Sequence, residues 1–229
     1  MRSPHSISAA TAAICVLSAG IVKAYPPAQW VNYYGDSAGS SARCGAITAD
    51  AEGSVIVVGT YPAFSRIRTL KLSAAGETLW ERFSGDATSG TQAEGKAVAT
   101  DPAGNIYVAG RFKNDSVLMK YSSSGELLWQ KTWGTETTNE GADFVVIDNA
   151  GDIYVAGSGG TVSGNPASED IFLIRYDSAG TEKWVRRYDG QAHGADHCGG
   201  LAAAGAGGVV ITGSATEPAG VKFITLRYT

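Results

Sequence analysis

The sequence predicts an all-β fold built from one four-stranded unit written repeatedly along the chain, and three markers recurring in step carry that prediction. The first is Gly-x-x-x-Trp, at Gly76…Trp80, Gly125…Trp129 and Gly180…Trp184, with a further Trp30 ahead of them. The second is a short apolar run closing on glycine: Val57-Val58-Gly59, Val108-Ala109-Gly110, Val155-Ala156-Gly157 and Ile211-Thr212-Gly213. The third is Asp-x-x-Gly just upstream, at Asp50…Gly53, Asp101…Gly104 and Asp148…Gly151; the fourth copy keeps Gly207 but has Ala204 for the aspartate. Each marker returns after about 50 residues, the length of a β-propeller blade made of four short strands.

Copy three shows how the unit is built. Its first strand is Ala142 to Ile147, its second Asp152 to Ala156, its third Ile171 to Tyr176, and its fourth runs from Trp184 to about Tyr188. β-branched and aromatic residues fill these runs, and Gly, Asp, Ser and Asn separate them. In Asp101-Pro102-Ala103-Gly104 the aspartate caps a type I turn, the proline fixes φ, and the glycine supplies a positive φ. Asp50, Gly53, Asp148 and Gly151 are read as the same structural turn. A calcium loop needs several carboxylates in one loop, and each of these has one.

The last copy reaches Arg227-Tyr228-Thr229 without a fourth strand, while Trp30-Val31-Asn32-Tyr33-Tyr34 is a fourth strand without a blade. The expectation is a four-bladed propeller, its ring closed by the N-terminal strand completing the last blade. The closing strand is 28–35, blade 1 about 43–85, blade 2 about 94–134, blade 3 about 141–190, and blade 4 about 197–229 plus 28–35.

Residues 1–24 read as a signal peptide: Arg2 and His5 lead, Ala9 to Val22 is an apolar stretch, and Val22-Lys23-Ala24 offers a cleavage site. Residues 25–229 are the expected propeller domain. The stretch is short for a membrane span and no later run approaches one, so no transmembrane segment is expected after cleavage. The expected location is secreted, periplasmic or cell-surface. The chain carries 18 Lys+Arg against 22 Asp+Glu, and no basic run exceeds two residues, which argues against a nucleic-acid partner.

Trp184 to Gly190, Asp148 to Gly157 and Phe172 to Asp177 resemble the bacterial β-propeller repeat family often called SBBP. The resemblance extends over Trp30 to Tyr228. It implies a secreted or surface propeller of unassigned biochemistry, and it transfers no catalytic residue, because its pattern specifies strands and turns. Asp50-Ala51-Glu52-Gly53-Ser54 and the Gly/Ala-rich fourth copy depart from that pattern.

Within the repeat, Ile47, Val98, Val145 and Leu201 mark an aliphatic column on the innermost strands, expected to face between blades. Lys71, Lys120, Arg175 and Arg227 mark a cationic column on the third strands, expected to lie partly buried against carboxylates. Cys44 and Cys198 occupy one column, where copies two and three have Gly95 and Ala142. If copies one and four are neighbours, a disulfide Cys44–Cys198 would latch the ring in an oxidising compartment. The alternative is a zinc site of Cys44, Cys198, His193 and His197, whose spacing matches no established zinc motif.

No Gly-x-Ser-x-Gly elbow precedes a helix, and no phosphate loop follows Gly205 to Gly208. No catalytic residue and no cofactor are assigned. The function expected is an exported, non-enzymatic binding scaffold for a protein, glycan or surface polymer. Its candidate binding residues are Tyr61 and Phe64 on one variable loop, Asn165 on the long insertion between Ser158 and Asp170, and His193 and His197. The alternatives are a small lyase or hydrolase using the axial mouth, with His193 or His197 as base, and a purely structural surface module.

Overall fold

The computed structural model describes residues 28–34, 42–61, 66–85, 92–134, 139–160, 169–205 and 207–229. The expected signal peptide, Phe64 and Asn165 lie outside them. All fifteen elements among the described residues are strands, arranged in four antiparallel sheets. The first sheet is β1 (Arg43–Ala49), β2 (Val55–Tyr61), β3 (Arg66–Leu72) and β4 (Thr78–Ser84). The second is β5 (Ala93–Thr100), β6 (Ile106–Phe112), β7 (Asp115–Tyr121) and β8 (Leu127–Trp133). The third is β9 (Asn139–Ile147), β10 (Ile153–Gly160), β11 (Glu169–Tyr176) and β12 (Glu182–Tyr188). The fourth has three strands: β13 (His197–Ala203), β14 (Val209–Glu217) and β15 (Gly220–Tyr228).

The strands follow each other in order within every sheet, so each sheet is an antiparallel meander. The turns form as the sequence expects. Asp50, Asp101 and Asp148 each accept backbone N–H bonds from two and four residues on, through one carboxylate oxygen. Gly53, Gly104 and Gly151 close them at φ of 80°, 78° and 84°, a region where side chains cost energy.

Neighbouring sheets stack face to face, and apolar side chains fill the space between them. Ile56, Val58 and Ile67 of the first sheet meet Val108, Val117 and Met119 of the second. Tyr107, Ala109 and Leu118 meet Val155, Phe172 and Ile174 of the third. Tyr154, Ala156, Ile171 and Leu173 meet Val209, Ile211 and Leu226 of the fourth. The aliphatic column sits in these seams: Val98, Val145 and Leu201 all pack there. Ile47, at the same position of the first sheet, is 66% exposed.

That exposure reflects an open array. β5 packs on β1, β9 on β5 and β13 on β9, with no comparable packing of β13 on β1 among the described residues. Residues 28–34 join no ladder; they lie along the hairpin after β3. Trp30 Nε1 donates to Ala74 O (3.2 Å), Asn32 Nδ2 to Gly76 O (2.6 Å), and the Tyr34 and Thr78 hydroxyls are 3.2 Å apart. Trp80 Nε1 and Arg82 Nε make the corresponding bonds one blade on, to Ser123 O (3.0 Å) and Gly125 O (2.6 Å). Trp30 therefore docks on the first sheet as Trp80 docks on the second.

The cationic column divides. Lys71 pairs with Asp50 at 3.0 Å, both side chains nearly sealed from water. Arg175 pairs with Asp152 at 2.6 Å, where Lys183 joins from β12. Lys120 instead donates to Ser178 O at 3.0 Å and sits over the Tyr107 ring. Arg227 is exposed on β15.

The expected disulfide is not formed: Cys44 and Cys198 are free thiols. The reason lies in the repeat. Ala142 and Cys198 point at the preceding sheet, and a side chain on Gly95 would too, meeting Val58 and Ile67. Cys44 occupies the same column and faces the open end, whereas Cys198 faces the third sheet. Equivalent positions of a repeat point the same way around the array, so they do not face each other.

Candidate functional site

Every innermost strand carries a β-bulge at the same register. Pairing skips Gly45 in β1, Lys96 in β5, Asp143 in β9 and Gly199 in β13. A bulge releases one residue from the ladder and re-aims its side chain. In β5 and β9 the released residues are charged, and Lys96 Nζ meets Asp143 Oδ1 at 2.7 Å across the seam.

This pair lies in a polar cleft of about 240 Å³ where the second, third and fourth sheets converge. Arg111 enters from β6 and donates to Asn139 Oδ1 (2.9 Å) and Gln92 Oε1 (3.1 Å), with Glu94 at 3.4 Å. Ser158 of β10, Glu169 of β11 and His197 of β13 complete the wall. His197 Nδ1 is 3.5 Å from Glu169 Oε2. Cations and carboxylates alternate around the cleft, so it offers donors and acceptors with little net charge. Lys96 and Asp143 remain about a third exposed, at 35% and 28%, and accessible to a ligand.

Cys198 also borders the cleft. Burial pushes its thiol up to about 12, so it stays protonated and is a poor nucleophile. The backbone N–H of Cys198 donates to Ser158 Oγ at 2.7 Å, which fixes that hydroxyl in the wall.

The two histidines do not converge. His193, at φ 52°, pairs with Asp189 at 2.6 Å on an exposed turn, and that bond raises its pKa. Asp170, Asp189 and Asp196 bring one carboxylate oxygen each within 4.8 Å of one another beside it. Asp196 is fully buried and committed to the backbone N–H groups of Gly190 and Thr216. Burial and the neighbouring Asp189 raise the Asp170 carboxyl, and Arg187 counters them from 3.7 Å. Cys44, Cys198, His193 and His197 form no ligand cluster among the described residues. Tyr61 ends β2 away from the cleft, its ring 5.4 Å from that of Phe83 and stacked by Arg68.

Of the expected binding residues, His197 lines the cleft. Lys96, Arg111, Asp143 and Glu169 were missed. The readable signal was the column after Cys44, Gly95, Ala142 and Cys198, which runs Gly45, Lys96, Asp143, Gly199. Opposite charges on adjacent blades stand at its centre.

Residues 85–111 match the SBBP beta-propeller repeat family. This stretch spans β5 and nearly all of β6, and the chain carries a repeat of that family. No curated protein matches the chain. Among solved structures, the chain is similar to a protein of unknown function from Bacteroides caccae, at 14% identity and a TM-score of 0.49. The similarity covers 86% of this chain and 63% of that one.

Proposed function

We propose that this chain is an exported, non-enzymatic propeller scaffold that binds a polar, hydroxyl-rich group, such as the end of a glycan or surface polymer, in the bulge-lined cleft. The observation that carries the reading is the placement of Lys96 and Asp143. Both leave their ladders at the same register and turn into one cleft from adjacent blades. Alternating donors and acceptors suit a neutral ligand rich in hydroxyls better than a strongly charged one. Export rests on the signal-like residues 1–24.

The reading includes a closed ring in which residues 28–34 serve as the fourth strand of the β13–β15 blade. The contacts of Trp30 and Asn32 support this, since they repeat those of Trp80 and Arg82 in a complete blade.

The test is retention of the purified protein on immobilised envelope polysaccharides, compared with the Lys96→Ala/Asp143→Ala variant. The expected result is loss of retention with unchanged circular dichroism. Equal retention by both proteins overturns the reading.

A further inference from the structure

Each seam in the array joins the forward face of one sheet to the rear face of the next, and two such faces are left over. The forward face of the fourth sheet presents Val210, Thr212, Phe223 and Thr225. Their equivalents in the third sheet are Tyr154, Ala156, Ile171 and Leu173, all buried in a seam. Phe223 itself is 81% exposed, and Val221 beside it is 68% exposed. The rear face of the first sheet holds an apolar cleft of about 200 Å³, lined by Tyr34, Cys44, Val57, Arg68 and Leu70 among others. Val31, Tyr33 and Ile47 are exposed at one end of the array and Val221 and Phe223 at the other; Leu79, Phe83, Leu127 and Leu128 are also exposed, on the outermost strands β4 and β8. Such patches mark contact surfaces.

The edges match as well as the faces. Within complete blades, Lys71 pairs with Trp80, Lys120 with Trp129 and Arg175 with Trp184. The same register sets Arg227 opposite Trp30, with the β15 edge bare of any strand among the described residues. One end offers a strand and a cleft; the other offers an open edge and a phenylalanine.

We propose that two copies of this chain close one ring, each receiving on its β15 edge and fourth-sheet face the residues 28–34 and first sheet of the other. This rests on the reading of residues 28–34 as a fourth strand and names the chain that uses them. The choice of a second copy follows from the three seams already filled. Their cores are sealed while the first and fourth sheets stand apart. Closing the ring within one chain would swing the ends together and reopen close-packed interfaces. A second copy leaves those interfaces as they are. Two-fold closure is the commonest symmetry, and two sets of four sheets give a ring of about eight blades, inside the usual range.

The repeat also supplies a cross-link. A Cβ on Gly95 would lie 2.6 Å from Val58 Cγ2 across the first seam. The equivalent pair at the open seam is Cys44 and Thr212. The experiment is sedimentation of the purified protein, together with oxidation of a Thr212→Cys/Cys198→Ala variant on a non-reducing gel. The expected results are twice the monomer mass and a covalent dimer. Phe223→Asp, at an exposed site, should return the protein to monomer mass with its circular dichroism unchanged. A monomer whose two thiols have bonded to each other overturns the two-copy ring but keeps residues 28–34 as its closing strand. A monomer with both thiols free overturns both readings. A ladder of larger species overturns two-fold closure in favour of open head-to-tail assembly.

Discussion

Trp30 lies so close over Gly76 that a Cβ on the glycine would fall 2.6 Å from the indole. Trp80 stands over Gly125 at 2.7 Å, and Trp129 over Gly180 at 3.1 Å. The Gly-x-x-x-Trp motif is therefore a relay. Its glycine receives the tryptophan of the blade before, and its tryptophan docks on the glycine of the blade after. The motif recurs in sequence because each blade must both give and receive.

The relay separates two roles of glycine. Gly125 and Gly151 both have positive φ, at 82° and 84°, but only Gly125 lies under an indole; a Cβ on Gly151 meets nothing within 4 Å. Gly151→Ala should cost about 1–2 kcal/mol, the strain of a left-handed alanine. Gly125→Ala should cost about 1–3 kcal/mol more, because Trp80 must shift from a packed seat. Urea unfolding of both variants checks this, and equal losses would contradict the relay.

The repeat made the hairpins and turns legible, because Asp50, Gly53 and their equivalents act through bonds only a few residues long. Directions around the array were harder to read. Period-2 alternation sets Cys44 and Ile47, three residues apart, on opposite sides; the bulge at Gly45 brings them to one side, and neither rule tells whether a blade waits there. The Cys44–Cys198 latch failed for this reason: the two thiols point the same way around the array. Lys96 and Asp143 escaped because a bulge breaks the alternation used to assign faces, and a single extra residue leaves little mark on a periodic pattern.

Acid should loosen the blades through two carboxylates. Burial would raise the Asp50 carboxyl, but its bond to Lys71 and the backbone donors of Ser54 and Glu52 prevail and hold it below 3.8. Asp152 is likewise held low by Lys183 and Arg175 against its burial. A lowered carboxyl stabilises the fold fully above its unfolded value, and that contribution is lost as pH falls through the folded one. Stability should thus hold from neutrality down to about pH 4 and then decline. Asp50→Ala should cost about 3–5 kcal/mol at pH 7, since it leaves Lys71 buried without its anion. Thermal melts at pH 7, 4 and 2.5 test both expectations; a variant with an unchanged melt at pH 7 would show the pair to be dispensable.

The Cys198 thiol should react slowly. Cys198 is held protonated by burial, its pKa raised to about 12. At pH 8 it should resist Ellman's reagent in the folded protein and react once guanidinium unfolds the chain. Rapid reaction of Cys198 in the native Cys44→Ser variant would show that the third seam opens readily.

The Lys96–Asp143 pair gives the sharpest separation between a structural and a binding role. Its side chains are partly solvated, and exposed pairs of this kind contribute about 0–1 kcal/mol to stability. Lys96→Ala should therefore leave the unfolding midpoint nearly unchanged. Binding should respond more strongly, because a ligand in the cleft covers the pair and loses a charged donor. Asp143→Ala should behave alike, and the double variant should lose little more binding than either single one, since both changes dismantle one contact point. Unfolding by urea and retention on envelope polysaccharide, measured on the same four proteins, give the two readouts. If Lys96→Ala cost several kcal/mol while retention held, the bulges would serve to bind the blades together and the cleft would lose its carrier.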